Sequence, residues 1–227
     1  MTDMQEIRRG DLRTLECGNP ASPRVVIVLH GRNMQAADLA PFGASLGIDA
    51  HFVFPDAPLA AEPGRTWWPV DTEIRLRDRG ARDLHAMDPS GRAEARALLD
   101  ALCNRVAHRK RLALVGFSQG GMLAMDYVLH GGHADALALL SSTRIAFREW
   151  RPLLPRLAGL PVLVAHGNAD DELSFAAGEA LRDAAIEGGA QTTWLPFEGG
   201  HGIPLPVWRG LRKFLAVHLP SPPAATA

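Results

Sequence analysis

Gly116-Phe117-Ser118-Gln119-Gly120 follows the apolar run Leu112-Ala113-Leu114-Val115 and precedes residues 121–129, which read as a helix. Ser118 is therefore predicted on a sharp turn from strand to helix. A serine held there in strained backbone needs neighbours two positions away on each side that lack a Cβ, and Gly116 and Gly120 meet that need. Such a turn lifts a hydroxyl clear of both flanking elements, which is the presentation a nucleophile requires. A five-residue G-x-S-x-G pattern is common by chance; the strand before it and the helix after it give it weight.

Outward from this turn, residues 24–30, 51–54, 112–115, 136–141, 161–166 and 192–197 are short apolar or β-branched runs bounded by turn residues, and they read as strands. Their apolar character is nearly continuous, as expected of strands covered on both faces. Helix-like stretches lie between them at 34–46, 91–105, 121–129 and 174–187, and a last one at 206–219 places Val207, Leu211, Phe214, Leu215 and His218 at helical spacing. The alternation predicts an α/β architecture: a mostly parallel central sheet with right-handed crossovers and helices on both faces. Residues 11–17 are predicted to add an antiparallel edge strand. Residues 59–90, punctuated by Pro63, Gly64 and Pro69, read as an excursion over the end of the sheet that carries Ser118. Arg75, Arg77, Arg79 and Arg82 in it interleave with acids, which reads as a solvated charged face or, more sharply, as a contact for an anionic substrate.

The length of 227 residues suits one domain, predicted over 1–219, with 220–227 as a flexible tail of prolines and small residues. Twenty-four basic residues against 25 acidic ones leave no basic face for nucleic acid, so a small neutral or modestly charged substrate is expected. Cys17 and Cys103 belong to no C-x-x-C or Cys/His spacing, which predicts neither a zinc site nor a disulfide framework. No apolar run approaches the length of a membrane span and the first ten residues carry no signal pattern, so a soluble, cytoplasmic protein is the expectation. No metal or organic cofactor is implied, and a homodimer is left open.

A serine hydroxyl is a poor nucleophile at neutral pH. It needs a base within hydrogen-bond reach and an acid that orients that base, in the chain order serine, acid, histidine for this type of turn. Of the histidines after Ser118, His133 precedes every plausible acid, His166 closes a strand, and His218 sits at an apolar helical spacing. His201 remains, in the glycine-flanked loop Glu198-Gly199-Gly200-His201-Gly202, and is assigned the base. The acid comes from His166-Gly167-Asn168-Ala169-Asp170-Asp171-Glu172, with Asp170 preferred. Asp171 and Glu172 read as the first residues of the next helix, and spacing alone does not separate Asp170 from Asp171. Acyl transfer also needs oxyanion donors. The backbone N–H of Gln119, after the nucleophile, is one; the loop Leu29-His30-Gly31-Arg32-Asn33 supplies the other through Arg32.

With these residues in place, the chain resembles the phospholipase/carboxylesterase group of α/β-hydrolases, which includes bacterial carboxylesterases and acyl-protein thioesterases. The resemblance covers most of the chain: Leu29-His30-Gly31 matches the family's early loop, Gly116 to Gly121 its Gly-Phe-Ser-Gln-Gly-Gly turn, His166 to Asp170 its His-Gly-x-x-Asp loop, and Gly200-His201 its base loop. It implies the α/β-hydrolase fold and Asp170, not Asp171, as the acid. Trp67-Trp68 looks similar to a Trp-aromatic pair that flanks the family's acyl site. The chain departs from the pattern with Arg32-Asn33-Met34 in place of Leu-Gly-Asp, Asp171 in place of Pro, and Pro69 in place of Asp.

The reading is a serine carboxylesterase acting on small or medium acyl esters, with thioesters and lysophospholipids as further substrates, through an acyl-enzyme on Ser118. Trp67, Trp68 and Met122 are expected to line an apolar acyl pocket, although each of these side chains also suits a purely anchoring role. An acyltransferase would keep the same acyl-enzyme and replace water with another nucleophile. A non-catalytic ligand-binding member of the fold is disfavoured by the retention of Ser118, Asp170 and His201.

Overall fold

In the computed structural model, which describes residues 4–70 and 82–220, the apolar runs form the inner strands of an eight-stranded sheet. Its order is β1 (Gln5–Arg9), β2 (Leu12–Gly18), β4 (His51–Pro55), β3 (Arg24–Leu29), β7 (Arg111–Phe117), β8 (Ala136–Leu140), β9 (Pro161–Gly167) and β10 (Gln191–Phe197). The six strands from β4 to β10 in that order run parallel; β2 is antiparallel to β4, and β1 to β2. The short strands β5 (Leu59–Ala60) and β6 (Arg65–Thr66) pair as a separate hairpin.

Alternation along each buried strand divides the core in two. Val25, Ile27 and Leu29 of β3, with Leu112 and Leu114 of β7, face α2 (Arg92–Val106), α3 (Gln119–Leu129) and α5 (Phe175–Glu187). Val26 and Val28, with Ala113 and Val115, face α1 (Ala36–Ser45) and α6 (Leu205–His218). After β3 the chain turns to β4 on one side, and it returns to β7 on the other. This reversal opens a crevice at the carboxyl ends of β3 and β7, the place where open α/β sheets bind ligands.

Two expectations need correction. Residues 11–17 do form a strand, but β2 is flanked on both sides, and the edge is β1. In Gln5–Arg9 only Ile7 is apolar, because an edge strand covered on neither face has no need of a hydrophobic pattern. Asp171 and Glu172 precede α5, which starts at Phe175 with Ser174 as its N-cap, the Ser174 hydroxyl accepting from Ala177 N–H at 3.2 Å. The helix α4 (Phe147–Trp150) and the 3₁₀ turn Arg151–Leu157 that continues it are additions. Arg75, Arg77 and Arg79, and residues 221–227 of the expected tail, lie outside the described residues. Among the described residues no helix is long and apolar enough to cross a membrane.

The strands at the β1 end are held by a buried charge. Glu16 is 4% exposed and accepts from Arg9 (2.8 and 2.9 Å), Thr14 Oγ1 (2.7 Å) and His51 Nε2 (2.7 Å). Burial works to raise its pKa, but the bonds from Arg9, His51 and Thr14 outweigh it and bring it down to about 2. A carboxyl depressed in the folded state stabilises above its unfolded pKa and loses that contribution as pH falls through its folded pKa. Stabilisation of about 3 kcal/mol is therefore expected at neutral pH, lost between about pH 4.5 and 2. Thermal melts of Glu16→Gln and wild type across this range test it: the gap between their melting temperatures should close as pH drops, and a constant gap would contradict the assignment.

Candidate active site

The turn after β7 is built by close backbone approach. A Cβ on Gly116 would lie 2.4 Å from Gly120 O, and one on Gly120 would lie 2.4 Å from Leu29 O. With those positions bare, α3 starts immediately behind Ser118, whose φ of 52° and ψ of −117° lie outside the comfortable regions for an L-residue. The strain is locked in by neighbours. Ser118 N–H donates to Leu140 O on β8 (2.9 Å), and Ser118 O accepts from Gly121 N–H (3.0 Å) and the Ser142 hydroxyl (2.9 Å).

Ser118 Oγ lies 3.0 Å from His201 Nε2, and His201 Nδ1 lies 2.8 Å from Asp170 Oδ2. A carboxylate can only accept, so Nδ1 carries the proton and Nε2 is free to accept from the serine hydroxyl. The second Asp170 oxygen accepts from the N–H groups of Glu172 and Leu173, both at 2.9 Å, which fixes the carboxylate plane. His166 Nε2 stands 3.3 Å from Asp170 Oδ2 and donates to Leu173 O at 3.0 Å. Burial alone would raise the Asp170 pKa. The hydrogen bonds from His166, His201 and Leu173 N–H prevail and hold the carboxyl well below its usual range. Asp171 is exposed and takes no part.

The loops bearing Asp170 and His201 are joined directly. Beyond the parallel pairing of β9 with β10, Asn168 N–H donates to Phe197 O (2.9 Å), Ala169 N–H to Gly199 O (2.9 Å), and Gly199 N–H to Asn168 Oδ1 (3.2 Å). The other late histidines stay apart from Ser118. His133 is largely exposed, and the His218 ring lies tilted against Phe214, 4.8 Å between centroids, on α6.

Arg32, Ser118, Gln119 and His201 border a cavity of about 80 Å³ that Trp68 and Met122 also line. Among the described residues neither the Gln119 N–H nor the Arg32 N–H has a protein acceptor. Trp67 departs from expectation. Both tryptophans are 1% exposed and pack in the same core, but Trp67 is not among the residues lining this cavity and donates from Nε1 to His30 O at 2.9 Å.

Three supporting residues escaped sequence reasoning. The buried Gln119 side chain accepts from Trp67 N–H (3.0 Å) through Oε1 and donates to Trp68 O (3.3 Å) through Nε2, while the Thr66 hydroxyl donates to the same carbonyl (2.7 Å). His30 is fully buried: Nδ1 donates to Gly31 O (2.7 Å), Nε2 accepts from Ala57 N–H (3.0 Å), and burial pushes its pKa down. No local pattern points to these contacts, although a glutamine and a histidine inside glycine-rich turns are residues whose polar atoms must find partners if buried. Gln119→Ala leaves the Trp67 N–H and Trp68 carbonyl with fewer partners in the interior, at a cost of about 1–3 kcal/mol. Its melting temperature is expected to fall by roughly 2–10 °C, read by circular dichroism, with a red shift in tryptophan emission; unchanged melting and emission would contradict the clamp.

A mostly parallel eight-stranded sheet with a serine on the turn after its central strand defines an α/β-hydrolase. Residues 12–219 match the phospholipase/carboxylesterase family, and the chain belongs to it. Among solved structures it is similar to esterase PE8 (24% identity, 96% of this chain and 98% of that one, TM-score 0.74). It also resembles a carboxylesterase from Mesorhizobium loti (20% identity, 94% and 98%, TM-score 0.74) and acyl-protein thioesterase 2 from Zea mays (18% identity, 96% and 100%, TM-score 0.73).

Proposed function

We propose that the protein is a serine carboxylesterase in which Ser118 is the nucleophile, His201 the base and Asp170 the residue that orients it. The observation that carries this reading is the chain of contacts from Asp170 Oδ2 through His201 to Ser118 Oγ, at 2.8 and 3.0 Å. His201 Nε2 takes the Ser118 proton as Oγ attacks the carbonyl of an ester or thioester. The negative charge that forms on the carbonyl oxygen is held by the N–H groups of Gln119 and Arg32. His201 then gives the proton to the departing alkoxide or thiolate, leaving an acyl group on Ser118. Water, deprotonated by His201, attacks that acyl group, and Ser118 recovers the proton as the acid departs. Asp170 remains ionised throughout, as its depressed pKa requires, and stabilises the imidazolium. Trp68 and Met122 contact the acyl chain.

A fluorophosphonate probe followed by peptide mass mapping tests the nucleophile, and p-nitrophenyl esters with acyl thioesters of graded length test the reaction. Labelling confined to Ser118, together with hydrolysis of short and medium chains, is the expected result. A folded wild type that neither labels nor hydrolyses any of these would overturn the reading.

A further inference from the structure

We propose that the Arg32 side chain makes this site selective for anionic esters, those bearing a carboxylate or phosphate near the scissile carbonyl. The inference rests on the esterase reading and adds the charge class of the substrate. Arg32 is half-buried, lining the cavity that holds Ser118 and His201 and also a second one bordered by Asn33, Ala61 and Pro69.

Its backbone is fixed rather than adaptable. Asn33, at φ 61°, donates to Arg65 O (2.8 Å), Arg65 N–H donates to Met34 O (2.9 Å), and the Arg65 guanidinium in turn holds the carbonyls of Ala57 and Pro58. Arg32 thus leaves a loop held at several points, and its own backbone N–H is an oxyanion donor of the esterase reading.

What distinguishes this guanidinium is that it has no counter-charge among the described residues. Arg82, which among the described residues also lines the cavity, is paired at 3.1 Å with Glu172, a carboxylate in the same lining. Among the described residues Arg32 has neither an ion pair nor a side-chain hydrogen bond, and the exposed Glu62 beside the second cavity does not bond to it. Much of the remaining lining is apolar: Trp68, Val70, Leu84, Met87 and Met122. A planar cation with five donors, partly withdrawn from water and unpaired beside apolar walls, gains most from an incoming carboxylate or phosphate that binds it in two-point fashion. An uncharged ester of the same size offers it nothing comparable.

The test compares kcat/KM for matched esters. For an acyl-borne charge, mono-p-nitrophenyl glutarate is set against p-nitrophenyl pentanoate; for a charge on the alcohol, 4-acetoxybenzoate and 4-acetoxyphenyl phosphate against phenyl acetate. The wild type is expected to favour the charged member of at least one arm by about 10- to 100-fold. Arg32→Gln should bring that ratio close to unity, Arg32→Lys should retain part of it, and Arg82→Gln should change it less. Raising salt from about 0.05 to about 0.5 M should shrink the wild-type ratio, which keeps the question decidable should the variants fail to fold. Hydrolysis of neutral esters with a ratio near unity in every arm, or a preference that survives Arg32→Gln or high salt, overturns the inference and leaves the esterase reading standing. No hydrolysis and no Ser118 labelling overturn both.

Discussion

Ser118→Ala should lower kcat for ester hydrolysis by about a million-fold while leaving the melting temperature close to that of the wild type. The size follows from how the three side chains act. Without Oγ there is nothing for His201 to deprotonate and no acyl-enzyme to form, so only the oxyanion donors and the cavity walls still favour reaction. The fold is spared because Ser118 is held by its backbone: its N–H on Leu140 O and its carbonyl on Gly121 N–H and the Ser142 hydroxyl are all kept by alanine. Alanine also shares the strained φ of 52° on equal terms with serine. Stopped assays on purified protein, with loss of fluorophosphonate labelling as a second readout, check the outcome. A variant retaining more than about a hundredth of wild-type kcat would point to a different nucleophile.

Asp126→Ala should be the most damaging change to stability among residues that do not touch the cavity. Asp126 lies on α3, completely buried, and accepts from Arg92 (2.5 Å), Arg96 (2.7 Å) and the Trp150 indole (2.8 Å). Arg92 continues to Glu149 (2.7 Å), and Glu149 to His130 (2.6 Å), so α2, α3 and α4 are tied to one carboxylate. Removing it leaves two guanidinium groups and an indole N–H facing a void, which costs about 3–5 kcal/mol. For a chain of this size that is a fall of roughly 6–20 °C in melting temperature. Asp126→Asn should lose less, since an amide oxygen still accepts from one donor. Differential scanning calorimetry of the two variants gives the answer, and a fall below about 2 °C for alanine would mean that the charges find water instead.

Legibility in the sequence tracked how local each cause is. Strands β3, β7, β8 and β9 announce themselves because burial on both faces forces continuous apolar runs. Ser118, Asp170 and His201 stand out because each follows a strand at the same end of the sheet, in a fixed chain order, among glycines. The edge strand β1 was hidden, since Gln5–Arg9 buries too little to need a pattern. The Gln119 clamp and the His30 bridge were hidden for another reason: their partners are distant in the chain, Trp67 from Gln119 and Ala57 from His30. Trp67 and Trp68 read alike in sequence, and what separates them is a contact distant in the chain: the Trp67 indole bonds His30 O while Trp68 lines the cavity.

The bonds that join the Asp170 and His201 loops tie both residues to the last two strands of the sheet, and among the described residues β10, which leads into the His201 loop, pairs with β9 alone. Ser118 sits three strands further in. The two halves of the machinery therefore rest on parts of the protein with unequal resistance to local opening, since boundary strands separate at a smaller free-energy cost than interior ones. Fraying of β10 withdraws His201 from an otherwise intact nucleophile. Mild heat or denaturant is therefore expected to abolish ester hydrolysis reversibly before the interior that holds Ser118 gives way, a loss of activity that should precede the change in circular dichroism.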